Sequence, residues 1–461
     1  MSRNEKRIVL ALSVVIALTR LLAPAASLFD WDEALFTMGV RDYDVAHHQP
    51  HPPGYPLFIA AAKGVHLLGV EEFRSLQAIV FLGAVFLFPA LFFFAREAGF
   101  DFTTAVCGAA IFSFFPNVLL YGGTGFSDVP ATTLVFVACA LLLRGRTDAR
   151  AYVAGAIVLG IAAGFRTPNL IIGAAPALLA TWHRIRARSY ASVAIAILAG
   201  GIIVAASYGG AALASESVAG YLDAVEAQRK WVREVDSWRN PIRGSLRGAA
   251  VLFFVQPFQH EDLMRTLAVF VAISVIAGLV RRRAAVPIVL ATFAPLAGIA
   301  WLNFDVNTAS RYAIAYMALH ALLAADGFLL LGRHRAVQLF LAAATVAVSL
   351  GWSWPALRLQ RTTPAPPVAA LRWVAENVPV SERVFVHRSY YPHADAILPR
   401  HNVTLFDNDA LVKDITGDWI VDWRTYAEGH NFTYPRTNPL WKVVRQRAFE
   451  ASVRPVPVLR K

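Results

Sequence analysis

Charge and sulfur are both scarce in this chain. Only 16% of its 461 residues are charged, against roughly 25% in soluble domains. Hydrophobic residues make up 57%, and the mean hydropathy is +0.49. That balance excludes an ordinary soluble globular protein and reads as a polytopic membrane protein. The two cysteines, Cys107 and Cys139, both fall inside apolar stretches. This excludes a disulfide framework and a thiolate metal site, and leaves the redox compartment open. No internal repeat of fixed period is present, which argues against the inverted-repeat transporters. Acidic residues are fewer than basic ones, 31 against 43 for a net charge of +12. The basic residues form no single patch that would bind nucleic acid. They sit in short clusters between apolar runs: Arg3/Lys6/Arg7, Arg144/Arg146/Arg150, Arg184/Arg186/Arg188, Arg281/Arg282/Arg283 and Arg333/Arg335. Clusters of that kind mark cytoplasmic loops.

A membrane helix needs about 20 apolar residues. That length places spans near 8–28, 75–95, 103–120, 128–143, 150–165, 168–182, 189–210, 264–280, 284–302, 311–330 and 335–354. The first run is too long for a signal-peptide core, and Ala23-Pro24-Ala25-Ala26 is a poor cleavage site, so it reads as a retained span. With the N-terminus inside, every basic cluster falls on the cytoplasmic side. Loops 29–74, 121–127, 211–263 and 303–310, with the tail after Pro355, then fall outside. Ala34–Val45, Tyr55–Gly69 and Ala249–Phe258 are too short or too polar to span, and read as helices lying at the outer interface. Ser215–Arg247 reads as an amphipathic external helix carrying Tyr221, Trp231 and Trp238, either a lid at headgroup level or a solvated connector. Two domains are expected: 1–355 in the membrane and 356–461 as a small external α/β domain. In the latter, Val368–Asn377 has helical periodicity, and Arg383–His387 and Val403–Phe406 read as strands.

Against so little charge, residues 29–56 (FDWDEALFTMGVRDYDVAHHQPHPPGYP) are conspicuous. Acids beside a membrane span are costly unless they face water or work in a site. Asp30, Asp32 and Glu33 follow directly on the first span. A carboxylate there can take a proton from an attacking hydroxyl or amine, or merely open a helix at Ala34 by meeting its dipole. His51-Pro52-Pro53-Gly54-Tyr55-Pro56 is a rigid connector that poises His51 for a phosphate or a sugar hydroxyl. His47, His48 and His51 also resemble a metal cluster. Asp128, in the loop Gly122–Pro130, lies on the same side as Asp32, and its plainer reading is an N-cap. Arg166 and Arg311, the latter followed by Tyr312, fall at outer span ends. There a cation can take up the charge of a lipid-phosphate leaving group or snorkel to headgroups.

Taken together, these residues resemble the GT-C superfamily of integral-membrane glycosyltransferases. The nearest likeness is to the protein O-mannosyltransferases and the lipid A aminoarabinose transferases (the glycosyltransferase family 39/83-like group). Asp32-Glu33 in WDEALF matches the acid pair after the first span of those families. His51-Pro52-Pro53 through Tyr55 matches their Lys/His-Pro-Pro motif, Asp128 in FSDVPA their loop aspartate, and Arg311-Tyr312 their late Arg-Tyr. His51 stands where the aminoarabinose branch has lysine, so that branch's donor is not implied.

The resemblance covers most of residues 1–330 and implies an all-α GT-C fold of about eleven spans with interfacial helices in the first external loop. The small C-terminal α/β domain read above is added to it, and that tail is less typical of the family. The resemblance also implies a catalytic group of Asp32 as base, Glu33 and Asp128. Asp30, His51, Tyr55, Arg166, Arg311 and Tyr312 would bind substrate. The reaction would be an inverting transfer from a polyprenyl-phosphate-linked sugar to a lipid, glycan or protein acceptor on the external face of the plasma or inner membrane. No metal or other cofactor is expected to be required. The rival reading is a transporter or flippase of lipid-linked glycans, which would gather its charges near the bilayer midplane rather than at outer span ends.

Overall fold

A computed structural model describes residues 1–255, 262–281, 283–407, 418–422, 430–433 and 456–460. Helix α1 (Arg3–Arg20) opens on a capping box between Ser2 and Glu5. It ends well before residue 28, because Ala23-Pro24 turns the chain into an irregular strap, residues 21–29. Neighbouring elements hold that strap. The Ala25 N–H donates to the Gly123 carbonyl at 2.8 Å, the Ala26 N–H to the Gln360 carbonyl at 2.7 Å, and Arg74 caps the Ala25 and Ala26 carbonyls at 2.8 and 2.9 Å. Two short helices follow, α2 (Trp31–Arg41) and α3 (Pro56–His66), and then the long apolar α4 (Glu72–Ala98).

The expected span 103–120 is two helices, α5 (Phe102–Ser113) and α6 (Pro116–Tyr121). Pro116 has no N–H to continue the first ladder and instead opens the second at its first turn. Four helices succeed it: α7 (Asp128–Arg144), α8 (Ala149–Phe165), α9 (Asn169–Arg186) and α10 (Tyr190–Ala214). Thr167-Pro168 separates α8 from α9, since a residue before proline disfavours the helical region. Beyond α11 (Val218–Trp231) comes a single π-helical turn, Val232–Asp236. Then follow α12 (Leu246–Phe254), α13 (Asp262–Val280) and α14 (Ala285–Asn303). The expected interfacial segment Ala249–Phe258 is thus helical to Phe254, and its last residues lie outside the described part. The expected span 311–330 is also broken. Here α15 (Ala309–Tyr312) and α16 (Met317–Gly332) meet at a 56° bend.

Helix α17 (Arg335–Thr362) runs straight through the expected boundary at Pro355. After it come α18 (Pro366–Asn377), β1 (Arg383–His387), α19 (Tyr391–Ile397), β2 (Asn402–Phe406), β3 (Trp419–Val421), β4 (His430–Phe432) and β5 (Val456–Arg460). The strands form one sheet in the order β2-β1-β3-β5-β4, with β1 parallel to both its neighbours and β5 antiparallel to both of its own. A compact core of Leu371, Val374, Val384, Val386, Tyr390 and Val458 joins α18 and α19 to the sheet. The unit rests on α2: Trp31 meets Tyr391 edge-on at 6.2 Å, and Arg41 donates to the Ala396 carbonyl at 3.1 Å.

The main core is aromatic. Phe94, Phe112, Phe136 and Phe293 are fully buried and interlock edge-to-face between α4, α5, α7 and α14. By contrast, α1 and α10 turn Leu10, Val14, Leu18, Ile195, Ile197 and Ile202 outward. Such faces suit a hydrocarbon surrounding. By length and composition, α4, α10, α14 and the stretch Arg335–Asn377 can each cross a membrane, and the bent pair Val306–Tyr312 and Met317–Gly332 makes a fifth. Each of the eleven expected stretches contains helix, yet three are cut short or broken and several are shorter than a full crossing.

Candidate active site

Helix α2 begins at Trp31, three residues ahead of the expected start at Ala34, because Asp30 caps it. The Asp30 carboxylate accepts the Asp32 N–H at 3.0 Å, and Glu33 reaches back in a reciprocal capping box. Glu33 does more than cap. Its Oε2 accepts the N–H groups of Phe29 at 2.8 Å and Asp30 at 3.3 Å, and its Oε1 accepts that of Gly125 at 2.6 Å. This wholly buried carboxylate therefore ties the strap, the start of α2 and the loop before α7 into one piece. Gly123 in that loop lies so close to the Ala23 carbonyl that any side chain would collide with it. Burial pushes the Glu33 carboxyl up to about 8, against the pull of its backbone donors.

Asp32 is one residue along the helix from Glu33 and faces the other way. Arg311 Nη2 lies 2.6 Å from its Oδ2, and His51 Nδ1 lies 3.6 Å from its Oδ1. Burial opposes its charge, but His51 and Arg311 outweigh it and hold the carboxyl below its ordinary value. Arg311 is itself 4% exposed, stacked over Phe126 at 4.6 Å and Tyr312 at 5.2 Å. Its Nε is 3.9 Å from Asp128 Oδ2, and Arg166 Nη1 closes the group at 2.7 Å from Asp128 Oδ1. Asp128 is the first residue of α7 rather than its cap, a position taken by Ser127. The capping expectation for Asp128 is thus corrected: its carboxylate is drawn sideways by the two guanidiniums. Arg166 ends α8 and Arg311 lies in α15, so the cluster is assembled entirely from helix ends.

The proline connector orients the remaining members. Gly54, at φ 103°, sits against Tyr43 and Val45 where a side chain would collide, and Tyr43 and Tyr221 hydroxyls donate to the Gly54 and Pro53 carbonyls. Tyr55, in a left-handed conformation, opens α3 and places its hydroxyl 2.8 Å from His51 Nε2. His51 stacks on Phe36, and burial lowers its pKa against the pull of Asp32. The three histidines do not converge as a metal cluster. His47 turns to Asp44 at 2.8 Å and Glu216 at 3.9 Å, the one group among the described residues whose ligand atoms lie close enough to hold an ion.

The structure therefore brings Asp32, His51, Tyr55, Asp128, Arg166, Arg311 and Tyr312 together, and places Asp30 and Glu33 in the frame beneath them. Among the described residues, His51 Nδ1, Asp128 Oδ2 and Arg311 Nε lack hydrogen-bond partners. A cavity of about 270 Å³ opens beside them, lined on this side by His51, Tyr55, Arg166 and Tyr312. Its opposite wall includes Asp236 and Asp305, which the sequence reading missed. Phe126, whose ring lies under Arg311, was missed too; its place in FSDVPA was the available signal.

No family model and no curated protein sequence matches the chain. Solved structures do. ArnT from Cupriavidus metallidurans bound to undecaprenyl phosphate aligns over 90% of this chain and 88% of its own, with a TM-score of 0.57 and 13% identity. The same protein in the apo state aligns over 87% and 86%, with a TM-score of 0.54 and 12% identity. The Archaeoglobus fulgidus oligosaccharyltransferase in complex with Zn and sulfate aligns over 87% of this chain, with a TM-score of 0.53 and 16% identity; the chain spans 62% of its length. The likeness is one of fold: the chain has the GT-C fold of these glycosyltransferases.

Proposed function

We propose that this chain is a multi-pass membrane glycosyltransferase that moves a sugar from a polyprenyl-phosphate donor to an acceptor on the outer face. In this reading the N-terminus is cytoplasmic, about eleven helices cross the membrane, and the sheet unit lies outside. The observation that carries it is an ionised Asp32 gripped by the buried Arg311, 2.6 Å away, and standing 3.6 Å behind His51, which lines a cavity. Support for the donor class comes from ArnT, which has this fold and was solved with undecaprenyl phosphate. The prenyl chain has a place to lie: an apolar cavity of about 460 Å³ between α7, α8, α9 and α10, lined by Leu142, Leu159 and Ile197.

The chemistry follows from exchange of ion-pair partners. A carboxylate held by a guanidinium is a weak base, because the cation stabilises its charged form. The donor phosphate competes for the same guanidiniums and binds them bidentately. Arg311 and Arg166 then neutralise the charge that builds on the phosphate as the C1–O bond breaks. Asp32, released from Arg311, gains proton affinity and takes the proton of the attacking hydroxyl. The acceptor oxygen bonds to C1 from the face opposite the phosphate. The products are the inverted glycoside and polyprenyl phosphate, with the proton on Asp32. Glu33 holds Asp32 in register through α2. A divalent cation does not fit among these carboxylates, since arginines already stand 2.6 and 2.7 Å from Asp32 and Asp128, and no step uses one.

The test uses purified protein in lipid with a panel of radiolabelled polyprenyl-phosphate sugars. Wild type is expected to release or transfer label. Asp32→Asn should lose about a hundred- to ten-thousandfold in turnover, the usual worth of a general base, while still binding the lipid. Undiminished turnover in the variant would move the base elsewhere.

A further inference from the structure

The cavity beside Asp32 has two walls of opposite character. The near wall carries His51, Tyr55 and Arg166, with Arg311 behind Tyr312, and is the wall assigned above to the donor phosphate. The far wall comes from elements that the donor does not need: Gln228 of α11, Asp236 at the end of the π-helical turn, and Asn303 with Asp305 just beyond α14. The two aspartates are close enough to act on each other. Burial first, and the charge of Asp305 second, push the Asp236 carboxyl up to about 7, against the pull of Arg243 and a hydrogen bond from Trp231. At neutral pH such a carboxyl both donates and accepts hydrogen bonds, which matches a hydroxyl. Asp305 is fixed in place, since its Oδ1 accepts both amide groups of Asn307 at 2.9 Å. Arg243 comes near the pair, but its Nη2 is given to the Trp301 and Phe304 carbonyls at 2.6 and 3.0 Å, where it holds the end of α14.

Size and charge narrow what this wall can take. At about 270 Å³ the cavity is smaller than the roughly 300–1,000 Å³ of drug-sized sites, which leaves room for about one sugar ring. A phosphate or carboxylate on this wall would face the acidic side chains of Asp236 and Asp305 rather than a cation, an unfavourable like-charge meeting. Gln228, Asn303 and Tyr208, all in the lining, are neutral donors and acceptors of the kind that fix hydroxyl orientation.

We propose that the wall of Gln228, Asp236, Asn303 and Asp305 is the acceptor subsite, and that it takes a neutral, hydroxyl-bearing sugar ring and turns away anionic acceptors. This rests on the transferase reading above and names the acceptor class for it. His51, which lines the cavity and lies 3.6 Å from Asp32, is the side chain that joins the subsite to the base.

The experiment measures binding of tritiated methyl hexopyranosides and methyl hexuronides to the full chain in lipid nanodiscs loaded with undecaprenyl phosphate. Undecaprenyl phosphate affinity is measured alongside as the control for folding and for the donor reading. Wild type should bind the neutral glycosides at least about tenfold more tightly than the uronides. The double variant Asp236→Asn, Asp305→Asn should close most of that gap and leave undecaprenyl phosphate affinity unchanged. Equal binding of neutral and anionic glycosides by wild type, or no glycoside binding beside normal undecaprenyl phosphate binding, overturns the subsite and leaves the donor reading standing. If the variant instead loses undecaprenyl phosphate, the wall belongs to the donor and the acceptor assignment falls. If wild type binds no undecaprenyl phosphate, the transferase reading fails and takes the subsite with it.

Discussion

Near the two ends of α4 stand two clusters made from the same ingredients. Near its first turn, Asp32 and Asp128 meet Arg311 and Arg166. Beyond its last turn, the fully buried Asp326 meets Arg281 and Arg283, each at 3.1 Å, and Arg283 reaches Asp101 at 2.9 Å. Both place aspartates and arginines among apolar helices. They differ in what lies beside them. Cavities of about 20 and 270 Å³ are lined by Asp128, Arg166 and Arg311 or by His51, Arg166 and Tyr312, and neither touches Asp101, Asp326, Arg281 or Arg283. Buried ion pairs alone are therefore no mark of a site in this chain. Buried polar atoms without a hydrogen-bond partner occur in both clusters, at His51, Asp128 and Arg311 and likewise at Arg281 and Asp326. What sets the first apart is the open space beside it, where its pairs can trade partners with a ligand, whereas the others only clamp helices together.

The sharpest test of that contrast is Arg311→Gln. It leaves Asp32 without its main partner and a donor phosphate without its deepest cation. Removing one preorganised charge-stabilising donor costs about a hundred- to a thousandfold, and kcat/KM for a polyprenyl-phosphate sugar should fall by that much. Activity within a few fold of wild type would reduce the outer cluster to a clamp like the inner one. The complementary change, Asp326→Asn, should do the reverse. Arg281 and Arg283 keep 20% and 28% side-chain exposure, so water takes over part of the lost pairing. We expect a loss of roughly 1–3 kcal/mol in stability, read by thermal unfolding in detergent, with KM for the donor unchanged. A raised KM would mean that the two clusters are coupled through the helices between them.

How much of this was readable in advance depends on how rare charge is here. In an apolar chain, Asp32, Asp128, Arg166 and Arg311 stand out one by one, and their order along the chain points to a shared outer face. Their partners were not readable. Arg166 pairs with Asp128 and Arg311 with Asp32 because of how α7, α8 and α15 converge, a tertiary fact with no local signature. Glu33 is the clearest case: it reads as a helix-start acid, and it is one, but its strongest bond goes to Gly125, 92 residues away. The break between α5 and α6 was announced by Pro116. The bend between α15 and α16 was not, since neither proline nor glycine lies between Tyr312 and Met317. Arg281 and Arg283, which read in the sequence as marking a cytoplasmic loop, pair with Asp326, so residues that look like a topology signal are part of the packing. Asp236 and Asp305 belong to no motif, and they become meaningful only once the π-helical turn and the end of α14 come together in one wall of the cavity.

The finest comparison between the clusters is between two caps with opposite electrostatics. Asp30 caps α2 beside the outer cluster and is 3% exposed. Burial, and then the charge of Asp32, push its carboxyl from 3.8 up to about 6, although Arg311 pulls the other way. A raised value means that the folded protein binds this proton more tightly than the unfolded chain does. The stability that the neutral form contributes is therefore fully present below about pH 4 and is lost as pH rises through about 6. Asp101 caps α5 beside the inner cluster. Burial opposes its charge as well, but the Thr104 N–H and Arg283 prevail and hold it below its ordinary value. Its contribution has the opposite sign, present above about pH 4 and lost as pH falls below that. Asparagine caps helices about as well as aspartate, so either replacement removes the charge and keeps the cap. Asp30→Asn should then unfold at a higher temperature than wild type at pH 7, with the gap closing toward pH 4. Asp101→Asn should unfold at a lower temperature at pH 7, with its deficit shrinking as the pH falls below about 4. Parallel responses in the two variants would mean that Arg311 outweighs burial at Asp30, and that the outer cap is as fully paired as the inner one.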